Sequence, residues 1–321
     1  MMIDRLEGNS ELKTSVRLML GGHRMTHSVL LVGEEGLGTG FAARCVAADY
    51  LYPNGGAPAE ALLRGECCRA VAKAGKRDSG TVETGIVREA ISVSGMGSGG
   101  KYLVGQVTAM RSEIFNTSLS AEGRAVLLYH VERMNEESAN ALLKVMEDAP
   151  GGGAVPAYGG FAGQRAAHHP QPLRQLCGGT GVPRRLHPLL RGAGGGQKTA
   201  ALYSELFDGH IGTVLAVARD EARAAQVEKA LELARAAAAR DSYTAAVLLA
   251  AYEKDKAAAS ALLTDFRAVA AAGLRSSPRA PVQGTQARQA VRLADAALQR
   301  LGAQVNPKVV LSVFAAKLRT L

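Results

Sequence analysis

Cysteine is scarce in this chain: four residues in 321, Cys45, Cys67, Cys68 and Cys177. They do not make a disulfide framework, which agrees with a reducing compartment. No apolar run approaches the ~20 residues that a membrane-spanning helix needs. The first stretch, MMIDRLEGNSELK, is polar and has no signal-peptide core. Together these absences predict a cytoplasmic protein. A further absence is local: residues 151–204 hold no aspartate or glutamate, although the whole chain has 29. The rest of the composition is ordinary. An apolar fraction of 47% permits a full core, and the length suggests roughly two domains of about 150 residues each. The net charge of +9 suggests a polyanionic neighbour such as DNA, subject to where that charge lies.

The most informative stretch is Arg124–Pro150, RAVLLYHVERMNEESANALLKVMEDAP. Ala125–Tyr129 is a short apolar run of the length of a buried parallel strand. Asn135 is a good N-cap, and Glu136 and Glu137 stand in the first turn, where the helix dipole favours anions. Ala139, Leu142, Leu143 and Met146 recur at i, i+3, i+4 and i+7, which predicts one inward face. Pro150 and the glycines after it end the helix. Strand, polar switch and capped helix form half of an α/β repeat.

The wording Asn140-Ala141-Leu142-Leu143-Lys144, followed by Met146-Glu147-Asp148-Ala149-Pro150, resembles the "ANALLK-x-LEEP" segment of bacterial clamp-loader subunits. Among these, the delta-prime subunits of DNA polymerase III are the nearest in pattern. The resemblance covers residues 1–150 and 200–321. It implies an α/β AAA+ (P-loop NTPase-like) domain over 1–177, a small helical lid over 178–219 and an all-α collar over 220–321.

Asn9–Gly21 reads as a helix with Leu12, Val16 and Met19–Leu20 on one side. An apolar strand near Val29–Val32 then runs into a glycine-rich turn and a second helix, the context of a phosphate-binding loop. Gly33 and Gly38 match G-x-x-x-x-G, with Gly36 between them. The next two positions do not match. A working loop needs Lys to reach the outer phosphates and Ser or Thr to hold magnesium, and here they are Thr39 and Gly40. Without that ammonium and hydroxyl, tight Mg-ATP binding and hydrolysis are not expected. In an active ATPase of the resembling class, the strand Ala125–Tyr129 would lead into an acidic pair that orders water around magnesium. This strand runs into His130 and Val131, with Glu132 further on. The expectation is a subunit that does not hydrolyse ATP.

Leu63–Lys73, LRGECCRAVAK, has the position of the zinc module in the resembling family. That module uses four cysteines, whereas this stretch offers only the adjacent Cys67 and Cys68. Neighbouring side chains point apart, so no tetrahedral thiolate site forms and zinc is not expected. Asp78–Gly100 reads as a loop with one short strand near Ile91–Val93. Val104–Arg111 resembles the family's "V-x-Q-I-R-x-L" helix.

The acid-free stretch contains Arg165, Arg174, Arg184, Arg185, Arg191 and Lys198, so six of the nine net charges come from it. It has thirteen glycines, five prolines and no periodicity through most of its length. Taken at face value it is a basic nucleic-acid tail or linker. It nevertheless interrupts the α/β domain where another core strand is due. Shifted by one base, Pro156–Leu173 can be re-read as L-L-T-A-D-S-P-A-S-A-L-L-T-I-R-S-R-C. That string resembles the family's sensor-1 strand followed by its "TIRSRC" arginine-finger motif. The expectation is a frameshift across 151–197, from a sequencing error or a pseudogene. On that account His168 and His169 are not metal ligands.

Leu206–Leu215 resembles the lid helix that begins "G-x-I-G-x-A", with the sensor-2 position near the neutral Thr213. From Asp220 the chain is alanine-rich with helical spacing, placing Val227, Leu231 and Ala234, then Val247–Leu249 and Tyr252, then Leu262, Phe266 and Val269 inward. After a loop at 276–286, two helices are predicted over Gln286–Leu301 and Asn306–Leu321. Asn306-Pro307 resembles the "N-x-N-P" start of the last collar helix. By this resemblance the expected role is structural: no catalysis of its own, and membership of a five-part ring with delta and tau/gamma subunits. That ring loads a sliding clamp onto primed DNA. Two rival readings are an ATP-hydrolysing tau/gamma-type subunit and a DNA-binding protein that uses the basic segment 151–198.

Overall fold

Short apolar runs buried on both faces make parallel sheets, and the first of two compact units is built that way. The computed structural model describes residues 1–21, 29–33, 36–74, 78–97, 100–115, 123–148, 156–159, 174–177, 202–203, 205–208, 210–275 and 277–319, with backbone alone at 146–148, 156–159 and 174–177. The two units are Met1–Gly181 and Val182–Leu321.

In chain order the first unit runs α1 (Ser10–Gly21), β1 (Val29–Val32), α2 (Thr39–Leu51), α3 (Ala57–Arg64), β2 (Cys67–Ala72), β3 (Gly80–Glu83), β4 (Val87–Ser94), α4 (Val104–Phe115), β5 (Ala125–Tyr129), α5 (Glu136–Asp148), β6 (Pro156–Gly159) and β7 (Arg174–Cys177). The sheet order is β3-β2-β4-β5-β6-β1-β7. Only the β2–β3 pair is antiparallel. Successive side chains leave opposite faces of a strand, so each run feeds two cores. Val29, Leu31, Ala125 and Leu127 join Val46 and Leu62 from α2 and α3 on one side. Leu30, Val126 and Leu128 join Ile91, Tyr102, Met110, Leu142 and Val145 on the other.

Several predicted features are corrected. Asp78–Gly100 is not a loop with one short strand: it holds β3 and the longer β4. Leu63–Lys73 contains the strand β2, which pairs with both. The glycines around them mark turns between strands rather than open loop. On α5 the inward face is rotated by one position from the predicted one. Ser138, Leu142 and Val145 are buried, whereas Ala139 and Leu143 are half-buried and the Met146 side chain lies outside the described residues. The buried face is the one whose Leu142 and Val145 join the core on the α4 side of the sheet, and at the helix start the Ser138 amide donates to Asn135 Oδ1 at 2.9 Å. α1 buries Leu12, Val16 and Met19 as predicted.

Gln106, fully buried on α4, ties this unit together. Its amide nitrogen donates to the carbonyls of Ala70 (3.1 Å) and Ser94 (2.8 Å), and its oxygen accepts from the Leu103 amide at 3.2 Å. The ends of β2 and β4 and the start of α4 thus meet at one side chain. Asp49 plays a similar part on α2, accepting from the Met2 amide at 2.6 Å and the Ile3 amide at 2.9 Å, which holds the N-terminal turn in place.

The second unit, by itself, is helical: α6 (Ile211–Arg219), α7 (Glu221–Ala238), α8 (Ser242–Ala250), α9 (Lys256–Leu274), α10 (Gly284–Gly302) and α11 (Pro307–Leu318). The last two were predicted with ends one to three residues different. Asp220, Asp241, Asp255 and Asn306 cap α7, α8, α9 and α11 by accepting from first-turn amides, which satisfies donors the helix itself leaves open. Val227, Leu231, Ala234, Leu262, Phe266 and Val269 are buried as predicted. Val247 is not: it is 55% exposed, and Ala245 and Leu249 form the inward face of α8. Small residues let α9 and α10 approach closely. A Cβ on Gly273 would lie 1.9 Å from the Val282 carbonyl oxygen. Phe266 and Phe314 meet edge to face with ring centroids 5.4 Å apart. Inside this core the Asp265 carboxylate is held by both terminal nitrogens of Arg223 on α7. By length and hydropathy alone α9 could cross a bilayer, but half of it is buried within the bundle.

Candidate functional site

Parallel sheets place ligand sites beyond the carboxyl ends of their strands. Here β6 lies between β1 and β5, with Ala157 level with Leu30 on one side and Leu128 on the other. The turn after β1 and the residue after β5 therefore share one edge, two strand spacings apart, or about 10 Å.

After β1, Gly33 is buried and Gly36, Gly38 and Gly40 are half-buried. Gly36 (φ 90°) and Gly38 (φ 82°) adopt the left-handed conformation that favours glycine. Gly38 is the N-cap of α2, and its carbonyl accepts from the Ala42 amide at 2.8 Å. Glu34 and Glu35 lie outside the described residues. The predicted glycine turn and helix are therefore both present. Thr39 is 4% exposed, and its hydroxyl oxygen is buried with no hydrogen-bond partner among the described residues. The Leu6 side chain stands 3.6 Å from where a Cβ of residue 38 would be, so the N-terminal turn closes against the head of α2.

After β5, His130 takes a left-handed conformation (φ 58°), uncommon outside glycine. Its Nδ1 lies 3.2 Å from Glu132 Oε1, and Arg133 Nε is 3.8 Å from the same oxygen. The buried Tyr102 hydroxyl lies 2.5 Å from the Tyr129 carbonyl and 3.1 Å from that of Val93, and burial pushes its pKa up. This hydroxyl locks the ends of β4 and β5 just before the site. Sequence reasoning missed Tyr102 and Leu6, because Tyr102 meets this edge only through the pairing of β4 with β5 and Leu6 only through the docking of the N-terminal turn on α2.

The two positions after the glycine turn are Thr39 and Gly40. The position that would supply the ammonium is a short, buried threonine, and the next has no side chain. The imidazole of His130 follows the strand opposite, and Glu132 Oε1 lies 3.2 Å from its Nδ1 and 3.8 Å from Arg133 Nε. Cys67 and Cys68 likewise do not converge, since Cys67 joins the core on the α2–α3 side and Cys68 the core on the α4–α5 side. Among the described residues no group of three or more His, Cys, Asp or Glu could hold a metal ion.

In the resembling segment of α5, Asn140 and Lys144 are exposed one turn apart, Ala141 and Leu143 are half-buried and Leu142 is buried. The Glu147 side chain and Pro150 lie outside the described residues, as do residues 160–173 of the predicted frameshift. Asn306 caps α11, its Oδ1 accepting from the Lys308 amide at 2.9 Å.

Residues 8–155 match the family described as DNA polymerase III, delta subunit. No curated protein matches the chain. A DNA polymerase III gamma subunit-related protein of Thermotoga maritima shares the fold, with 15% identity, 96% of this chain and 98% of that one covered, and a TM-score of 0.51. The Bacillus subtilis clamp loader delta protein covers 96% of this chain and 99% of its own at 9% identity, but its TM-score of 0.30 carries no weight. Residues 8–155 are thus similar by sequence to the DNA polymerase III delta-subunit family, and nearly the whole chain is similar in fold to a DNA polymerase III gamma subunit-related protein.

Proposed function

We propose that the chain is a non-hydrolysing, delta-prime-type structural subunit of a DNA polymerase III clamp loader, acting in the cytoplasm. One observation carries this reading. Gly36 and Gly38 turn the chain into the head of α2 while Thr39, Gly40 and His130 occupy the positions where ATP chemistry needs an ammonium, a hydroxyl and a carboxylate. Residues 1–177 are then a degenerate AAA+ domain, 178–219 a lid and 220–321 a collar. Its partners are the delta and tau/gamma subunits, and through them a sliding clamp and primed DNA. Asn140 and Lys144 face outward on α5 as contact residues. In the helical unit Tyr243 and Val247 on α8 and Val309 and Val313 on α11 are exposed at one-turn spacing, and α8 packs against α11. Apolar faces left open on neighbouring helices suit lateral contact with other subunits.

The sheet also bears on the reading frame. β6 is a central strand, which wants apolar side chains on both faces. As translated it is Pro-Ala-Tyr-Gly, and re-read it is Leu-Leu-Thr-Ala. We take 151–197 as frameshifted; resequencing that finds the present frame intact removes this part of the proposal.

Titration with a fluorescent ATP analogue, a steady-state hydrolysis assay and co-purification with delta and tau/gamma subunits test the function, with the translated and frame-corrected chains compared. The expected result is assembly without turnover. Turnover at a motor-like rate would instead favour the tau/gamma-type reading.

A further inference from the structure

Residues 284–319, the two C-terminal helices and their joint, contain six cationic side chains (Arg288, Arg292, Arg300, Lys308, Lys317 and Arg319) against one acidic one, Asp295. Lys308 is 3.8 Å from Glu253, and Asp295 is taken up by Arg267 of α9 at 3.0 Å. Arg288, Arg292 and Arg300 are exposed, and no carboxylate engages them among the described residues. On α10, Thr285, Arg288, Gln289, Arg292, Gln299 and Arg300 are exposed. At 3.6 residues per turn they fall within one arc of about 120°. The opposite face is apolar and buried through Ala287, Ala290, Ala294, Ala297 and Leu301.

We infer that this arc of α10 is a contact surface for the sugar-phosphate backbone of a nucleic acid. Backbone phosphates are held by arginine together with glutamine and threonine side chains, and the arc consists of those types. No exposed apolar or aromatic side chain lies on it, so it lacks the hydrophobic core around which protein interfaces are built. It has no aromatic residue to stack on a base, so binding is electrostatic and independent of sequence. From Arg288 to Arg300 the arc runs about 18 Å, matching about five phosphates of one strand at their ~3.4 Å axial spacing. The inference stands apart from the clamp-loader reading, since it uses only the second unit.

Fluorescence anisotropy of the full chain with a labelled random-sequence duplex, from 50 to 300 mM KCl, tests it. The R288E/R292E/R300E variant is expected to bind at least ~10-fold more weakly, and its log–log salt slope should fall by roughly one per arginine removed. The R288Q/R292Q/R300Q variant should show a smaller loss of the same kind, and is read instead if charge reversal lowers the melting temperature. A comparison chain carries glutamine at Arg165, Arg174, Arg184, Arg185, Arg191 and Lys198. The inference is overturned if only this chain loses binding, if the α10 variants keep the parent slope, or if the parent does not bind at 50 mM salt. Displacement by poly-glutamate at equal charge concentration with an unchanged slope would also overturn it, assigning the arc to an acidic protein instead.

Discussion

The two units hold themselves together differently. The α/β unit relies on a few buried polar side chains that join distant segments, such as Gln106 between β2, β4 and α4 and Asp49 under the N-terminal turn. The helical unit relies on repetition: aspartate and asparagine caps on four helices, alanine seams between them, and one buried ion pair. Damage should therefore concentrate at single points in the first unit and spread over many small contributions in the second, apart from that pair.

Arg223→Ala is the harshest way to break this contrast. It leaves Asp265 charged and nearly fully buried, which should cost about 3–5 kcal/mol in urea unfolding of the helical unit. R223M/D265L should recover most of the loss, because an apolar pair of similar volume needs no compensation. If the double variant is as weak as the single one, the pair is not what holds α7 to α9. Gln106→Leu is the counterpart in the sheet unit. Two carbonyls and one amide lose their partner, and each stranded buried group costs about 1–3 kcal/mol. Hydrogen exchange should quicken at the ends of β2 and β4 while α7 to α11 keep their protection. Asn306→Ala removes one cap among several and should lower stability by about 1 kcal/mol; a larger drop on thermal melting would show that the caps act together.

Alkaline pH gives the gentlest test. Burial pushes the Cys45 thiol up to about 12, well above an ordinary thiol. The unfolded chain ionises there first. The contribution to stability is thus intact below about pH 8.5 and declines between there and about pH 12. Cys45→Ala should flatten that decline in melts taken from pH 7 to 10.5, and an unchanged profile would assign it to the half-buried Tyr52 and the buried Tyr102, whose pKa values are also raised.

What the sequence made legible follows the same division. Helices with regular periodicity, as at Val227–Leu231 and Leu262–Val269, are legible because the buried stripe repeats every turn. The strand β5 and the glycine turn were plain for a related reason, as each is defined within a few residues. The edge strand β3 was hidden because Gly80–Glu83 is half-polar and pairs on one side only. β2 was masked by the cysteine pair, which drew attention to metal chemistry instead of to a CCRAVA strand. On α5 and α8 periodicity alone left the phase open: packing selects Leu142 and Val145 on α5, and on α8 the packing face carries alanine and leucine rather than valine. At the candidate site the glycine turn could be read in advance. The closing roles of Leu6 and Tyr102 could not, because docking of the N-terminal turn on α2 decides the first and strand register the second.

Cys67 and Cys68 are consecutive, yet each thiol belongs to a separate lamina of the first unit. A reagent that must wait for local opening would read the α2–α3 layer through one sulfur and the α4–α5 layer through the other. The chain thus carries two native clocks, one peptide bond apart, for the loosening of either side.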